Sequence, residues 1–336
     1  MRSAIFKAPG LPLSIDTVPD PTPAPNQVVI RIGRCGICGS DLTFTDPRSP
    51  AHYPIGSALG HEYAGEIVAL GRDVTHLAIG DRVTAMPSTG CGSCAACLAG
   101  DPNGCASCHH IMGGYGEYTL ADGRYAAKLP DSLSLDDGAL VEPLACGSQA
   151  ARLGGVTAKS RVLVIGAGPI GLAAVYWARR MGGEQIAAAA LSDRNEAIAR
   201  TMGASAFVRQ GDDFAATVAE ELGGAPDIVF ECSGGTGTIG QAIEAVAPRG
   251  TVVAAGFCFE PQPIVTAGAL FKQLRLQFSM AYTMDDFRHG IAALDAGSLE
   301  PRAMLSDTVS LDALPDTIEA LRTDKTRCKV MVDPWG

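Results

Sequence analysis

The sequence predicts an α/β protein in two parts, an irregular β-rich domain and a doubly wound parallel sheet. Two patterns and one motif predict it. Short apolar segments separated by Gly and Pro turns run through the N-terminal part, and from about Gly147 strands alternate with helices. Within that alternation, Gly166-Ala167-Gly168-Pro169-Ile170-Gly171 follows directly on an apolar strand and opens a helix. A length of 336 residues accommodates both parts, and a 47% share of hydrophobic residues supplies their cores.

Taken in order, Val28 to Ile32, Glu66 to Leu70 and Asp81 to Thr84 read as strands of the first part, after a Pro-rich connection from Pro19 to Pro25. In the second part the spacing predicts strands over Arg161 to Ile165, Gln185 to Leu191, Asp227 to Glu231 and Thr251 to Ala255. The intervening helices are predicted over Pro169 to Met181, Asn195 to Met202 and Thr238 to Val246. The apolar run Val162 to Ala178 is shorter than the ~20 residues of a membrane span. Gly166, Gly168, Pro169 and Gly171 interrupt it, so a strand, a tight turn and a buried helix account for it. The tail from about Asp285 reads as a helix, Phe287 to Ala296, then short strands to Pro334. It is expected to rejoin the first domain, giving a catalytic domain over 1–146 and 285–336 around a dinucleotide domain over 147–284.

A formal net charge of −10 argues against a nucleic-acid surface. The 11 cysteines come with metal-ligand spacing, and Met1 to Gly10 holds Arg2 and Lys7 but no apolar leader core, so a cytoplasmic location with reduced thiols is expected. Cys91, Cys94, Cys97 and Cys105 follow the pattern C-x2-C-x2-C-x7-C in a short lobe, about 88–108. Four thiolates close a tetrahedral zinc shell, and a closed shell is structural.

In the glycine turn, Gly166 permits the tight bend, Gly168 lets the backbone approach a pyrophosphate, and Gly171 allows close packing of helix on strand. Pro169 suits the first helical turn, and the helix start at Pro169 and Ile170 faces the phosphates. The acidic residue that holds a ribose 2′-hydroxyl falls about 20 residues on, where this chain has Ala190. Ser192 and Arg194 follow and suit a 2′-phosphate, which favours NADP over NAD; Asp193 is the competing group, able to turn back to the ribose.

Upstream, Cys38 lies in Cys35-Gly36-Ile37-Cys38-Gly39-Ser40-Asp41, His61 in Gly60-His61-Glu62, and Glu142 in Val141-Glu142-Pro143-Leu144. One thiolate, one imidazole and one carboxylate with a free position make an open, catalytic zinc site. Pro143 biases Glu142 towards an extended backbone at a loop end.

These pieces, together with Gly113-Gly114-Tyr115-Gly116-Glu117-Tyr118 and Phe230-Glu231-Cys232-Ser233-Gly234, span most of the chain in order. They resemble the zinc-dependent medium-chain dehydrogenase/reductase family of alcohol, sorbitol, threonine and butanediol dehydrogenases. The resemblance implies a GroES-like catalytic domain, a Rossmann domain, a cleft between them for the reaction, two zinc ions per chain, and a homodimer or homotetramer without nucleic-acid or membrane partners. It implies Cys38 and His61 as zinc ligands and Glu62 as a carboxylate that binds the metal or moves on and off it. Glu142 is then the third ligand or the holder of the water there, a position where an acid marks the polyol and secondary-alcohol branches. Asp41 orients the His61 ring, and Ser40 starts a proton relay. Many relatives continue that relay with a histidine where this chain has Thr43; either Thr43 passes the proton on or His52 substitutes.

Cys35, Cys108, Cys146, Cys232, Cys258 and Cys328 read as packing or surface residues, and Cys108-His109-His110 as a solvated loop rather than a metal site. The expected function is hydride transfer between a secondary alcohol or polyol and a nicotinamide cofactor. The alternative is a non-catalytic nucleotide-binding or redox-sensing protein of the same fold.

Overall fold

A computed structural model describes residues 1–336. It contains two compact units, Met1–Glu142 with Tyr282–Gly336, and Pro143–Ala281. The chain opens with the antiparallel pair β1 (Arg2–Ile5) and β2 (Ser14–Thr17). The long strand β3 (Gln27–Gly36) leads into the short helix α1 (Gly39–Thr45), and β4 (Glu62–Leu70) and β5 (Arg82–Ala85) continue the sheet. The lobe follows, with β6 (Ser88–Thr89), α2 (Ala95–Leu98) and β7 (His109–His110). His109 and His110 are thus strand residues paired with Thr89 and Ser88, not a loop, although both remain exposed. After β8 (Tyr118–Asp122) and β9 (Ala126–Lys128) comes α3 (Leu135–Gly154).

Helix α3 corrects the expectation for Glu142, which lies inside this helix of 20 residues, with Pro143 in the helix as well. A proline cannot donate to the carbonyl of the preceding turn, but the helix persists because it is buried almost all round. Gly138 brings it against β4, where an added Cβ would lie 2.6 Å from the Ala64 side chain. Gly147 does the same against the helix that follows, 2.6 Å from the Ala173 backbone.

The second unit alternates strictly: β10 (Arg161–Ile165), α4 (Pro169–Arg180), β11 (Gln185–Ala190), α5 (Glu196–Thr201), β12 (Ala206–Arg209), α6 (Phe214–Glu221), β13 (Ile228–Glu231), α7 (Thr238–Ala245), β14 (Thr251–Ala254), α8 (Thr266–Lys272) and β15 (Arg275–Phe278). All pairings are parallel, in the order β12-β11-β10-β13-β14-β15. This is the two-halved Rossmann order, with the strand direction of travel reversing beside β10. One face of the sheet packs Leu163, Ile165, Ala187, Val208 and Val229 against Val218, Ile239 and Ile243.

The chain then returns to the first unit through α9 (Met284–Asp295), β16 (Leu305–Ser310), α10 (Leu314–Thr323) and β17 (Lys329–Asp333). The tail therefore contains a further helix, α10, where only short strands were expected. The first unit's main sheet runs β16-β17-β3-β4-β5-β9, with β8 also paired to β3. Val28, Ile30, Ile32, Tyr63, Ile67 and Val332 fill its core.

Candidate functional site

The end of β3 meets the start of β4 and the middle of β17 in the first unit. Gly36, at the end of β3, pairs with Glu62 at the start of β4 on one side and with Met331 of β17 on the other. The ladder therefore carries Cys38, just past β3, to His61, just before β4. The Cys38 thiol, a His61 ring nitrogen and a Glu62 carboxylate oxygen all lie within 4.8 Å of one another. Local backbone chemistry holds the first of these in place. Cys38 is the N-cap of α1, and its backbone N–H donates to Asp41 Oδ2 at 3.1 Å.

Asp41 is fully buried and also accepts from Tyr115 Oη at 2.6 Å and, on Oδ1, from Tyr53 Oη at 3.3 Å. His61 Nδ1 faces the same Oδ1 at 3.5 Å. Burial alone would raise the Asp41 carboxyl, but the His61 ring and the hydrogen bonds around it hold it below the usual carboxylate range. The ring is thereby turned so that Nε2 lies on the side of Ser40, whose Oγ is 3.5 Å away. A carboxylate on one ring nitrogen leaves the other available as a metal ligand.

Glu62 is placed differently from a free ligand. Buried Lys329 donates to both of its oxygens, at 2.7 and 2.6 Å, and to the Ile37 carbonyl at 3.0 Å. Burial by itself would lower the Lys329 pKa; the Glu62 carboxylate outweighs it and raises it above the ordinary lysine value. Gly36 makes room for this pair, since a Cβ there would stand 2.1 Å from Glu62 Oε2. Glu142 lies outside the cluster of Cys38, His61 and Glu62 but senses it. Burial pushes its carboxyl up to about 7, with His61 pulling down and Glu62 pushing up.

The hydroxyls beside the cluster differ in what they can do. Thr43 Oγ1 donates to the Gly39 carbonyl at 3.1 Å within α1, and His52 is exposed with Nδ1 3.2 Å from the Phe44 carbonyl. Tyr53 and Lys329 belong to no motif in the sequence, and Tyr115 lies in the Gly113 to Tyr118 run without a role assigned to it there. Sheet pairing and long loops bring them in, and only the Gly113 to Tyr118 run pointed to one of them.

In the lobe, the thiols of Cys91, Cys94, Cys97 and Cys105 lie within 4.8 Å of one another. Backbone N–H groups point at the sulfurs: Cys94 to Cys91 at 3.3 Å, Ser107 to Cys105 at 3.3 Å and Cys91 to Cys105 at 3.4 Å. Such donors stabilise thiolates, and the Ser93 amide and hydroxyl bring the Cys91 thiol down to about 5. The backbone is drawn in closely enough that a Cβ at Gly90 would sit 2.6 Å from Cys97 Sγ. Four mutually close thiols with amide donors fit a structural zinc.

In the second unit the glycine turn follows β10 and α4 begins at Pro169. Gly166 has φ +101°, and a Cβ there would meet the Ser233 backbone at 2.7 Å. A Cβ at Gly171 would strike the Gly166 carbonyl. A Cβ at Gly168 would meet nothing within 4 Å, so the protein's own packing does not require a glycine there. Open space before a helix N-terminus fits a pyrophosphate that approaches the backbone. Asn195 Nδ2 ties the turn to the loop after β11 by donating to the Ala167 carbonyl at 2.7 Å. Ala190 ends β11, with Ser192 half-buried and Arg194 exposed beyond it.

Comparison with known proteins bears on both units. Residues 24–131 match the alcohol dehydrogenase GroES-like domain, and residues 169–296 match the zinc-binding dehydrogenase family. A sorbitol dehydrogenase from Gallus gallus is 32% identical over 281 residues, covering 80% of this chain and 79% of its own. A solved structure from Sinorhizobium meliloti 1021, described as a zinc-binding dehydrogenase bound to NADP, aligns with TM-score 0.91 at 31% identity over 99% of each chain. RspB from Escherichia coli CFT073, solved with NADH, aligns with TM-score 0.91 at 26% identity over 99% of each chain. The chain belongs to the zinc-dependent medium-chain dehydrogenase/reductase family, oxidoreductases that act on alcohol donors with a nicotinamide cofactor.

Proposed function

We propose that this chain is a zinc-dependent dehydrogenase of secondary alcohols or polyols that prefers NADP. The observation that carries the reading is the convergence of Cys38, His61 and Glu62 where β3 ends and β4 begins, with Asp41 behind the histidine. Cys38, His61 and either Glu62 or Glu142 hold a catalytic zinc, and the four lobe cysteines hold a second, structural one. When bound, zinc supplies Lewis-acid polarisation of the substrate oxygen, and the nicotinamide takes or gives the hydride.

The chain's own residues do the rest. Asp41 fixes the tautomer and direction of His61. Ser40 Oγ, beside His61 Nε2, relays the proton that the alcohol loses on oxidation, accepting it while handing its own hydroxyl proton on towards solvent, and runs the exchange in reverse on reduction. Thr43 is a poor next carrier, because its hydroxyl is committed to the Gly39 carbonyl. Lys329 engages both oxygens of Glu62 and competes with a metal for that carboxylate, which favours Glu142 as the third ligand. Gly166, Gly168 and Gly171 with the α4 start at Pro169 and Ile170 cradle the pyrophosphate. Ala190, Ser192 and Arg194 favour a 2′-phosphate. The polyol leaning is supported by the acid at Glu142 and by the likeness to a sorbitol dehydrogenase.

A homo-oligomer is supported by an unpaired sheet edge. β15 ends the six-stranded sheet, and Val265, Leu270, Phe271, Phe278 and Met280 around it are exposed. No helix is long and apolar enough to cross a membrane.

The division into catalytic and structural zinc sites predicts different failures. Cys38→Ser loses turnover and one zinc per chain while its melting temperature stays near the parent's. Cys105→Ser loses the other zinc and melts earlier. Equal loss of fold from both, read by calorimetry and metal analysis, contradicts the division.

A further inference from the structure

We propose that Arg209 is a third member of the 2′-phosphate site, closing it from the neighbouring strand. The inference rests on the NADP reading and adds a residue that no motif indicates. In the parallel pairing of β11 with β12, the last register pair is Ala190 with Arg209. Paired residues of parallel strands present their side chains to the same face, so the arginine stands beside the position where a ribose-binding carboxylate is missing. The Gln210 amide donates to the Ala190 carbonyl at 2.9 Å, which locks the two strand ends together. Arg209 Nε donates to the Leu191 carbonyl at 3.3 Å, which leads the side chain across the end of β11.

No ion pair engages either guanidinium. Glu196, at the start of α5, is held by Arg200 at 2.9 Å, while Asp193, Asp212 and Asp213 are exposed and bridge to neither arginine. In a chain of net charge −10, two unpaired arginines therefore flank the end of β11, with the Ser192 hydroxyl in the intervening loop. A phosphomonoester with up to two negative charges takes forked guanidinium donors in preference to any neutral partner. A 2′-hydroxyl gains nothing from the second cation. Arg209 thus sets the discrimination between the two cofactors, while the glycine turn sets the affinity common to both.

The test is titration of the zinc-loaded protein with NADPH and NADH, followed by nicotinamide fluorescence, with 2′-AMP and 5′-AMP as competitors. Parent, Arg209→Ala, Arg209→Lys and Arg194→Ala proteins are compared after a melting check. For Arg209→Ala the expected result is a fall of about tenfold or more in the NADPH to NADH affinity ratio, the size of one charge-assisted hydrogen bond. Competition by 2′-AMP weakens in parallel, and Arg209→Lys falls between. A parent that prefers NADPH, with Arg194→Ala losing that preference and Arg209→Ala keeping it, overturns the inference and leaves the NADP reading standing. Equal weakening of both cofactors by Arg209→Ala also overturns it, because the residue then only supports the loop. A parent that prefers NADH overturns the NADP reading and this inference with it.

Discussion

Lys329 is 1% exposed, and its charge is matched by one carboxylate, Glu62, with the Ile37 carbonyl completing its bonds. Removing one partner of such a pair leaves a buried charge uncompensated, at a cost of about 3–5 kcal/mol. Lys329→Met is therefore expected to lower the stability of the first unit by that order in urea unfolding. Lys329→Met combined with Glu62→Gln should regain much of the loss. A single variant as stable as the parent contradicts the pairing, and a double variant worse than the sum of the singles contradicts its energetics. The pair also explains why the site was only partly legible in the sequence. The lobe cysteines announce themselves by local spacing, and Cys38 and His61 by the short motifs that carry the family resemblance. Lys329 lies far along the chain from Glu62, and antiparallel pairing of β17 with β3 is what brings it there. Tyr115 and Tyr53 reach Asp41 in the same non-local way, and Arg209 reaches the end of β11 through strand register.

Helix α3 shows the corresponding limit at the scale of an element. In the second unit β10, α4, β11, α5, β13, α7 and β14 were legible because their apolar runs are bounded by turn residues, while β12, α6, α8 and β15 were not marked. In α3 nearly every position from Asp137 to Ala145 is buried, so no amphipathic stripe marks it, and Pro143 reads as a break. Its start is secured by reciprocal bonds. The Ser134 amide donates to Asp137 Oδ2 at 2.7 Å, and the Asp137 amide donates to Ser134 Oγ at 3.1 Å. Arg302 adds a two-pronged bridge to Asp137 at 2.7 and 2.8 Å. Ser134→Ala should cost about 1 kcal/mol. Burial would raise the Asp137 carboxyl, but Arg302 and Ser134 hold it below its ordinary value of 3.8. A carboxyl depressed in the folded state contributes stability that is present above its unfolded value and is lost as pH falls through the folded one. Urea midpoints taken from neutral pH to below pH ~4 should therefore fall less steeply in Asp137→Asn than in the parent. Parallel curves contradict the assignment.

For the whole molecule, the Cys38–His61–Glu62 cluster and the four lobe thiols lie in the first unit, and the glycine turn lies in the second. The second unit ends at an open edge, β15, carrying exposed Phe278, with Phe271 exposed on α8. Assembly through that edge predicts a sedimenting mass of at least two chains for the parent and a smaller one for Phe271→Glu combined with Phe278→Lys. A parent that sediments as a single chain contradicts the assembly. The central claim is hydride transfer from an alcohol at the Cys38–His61 site, and an initial-rate panel tests it most directly. Secondary alcohols, polyols and hydroxy amino acids are supplied with NAD and with NADP, and reduced nicotinamide is followed by absorbance in parent and Cys38→Ser proteins. The account predicts turnover with a secondary alcohol or polyol, faster with NADP, abolished by a chelator and absent in Cys38→Ser. A folded, zinc-loaded parent that binds cofactor and turns over no member of the panel contradicts the account and favours a nucleotide-binding protein that has lost its reaction.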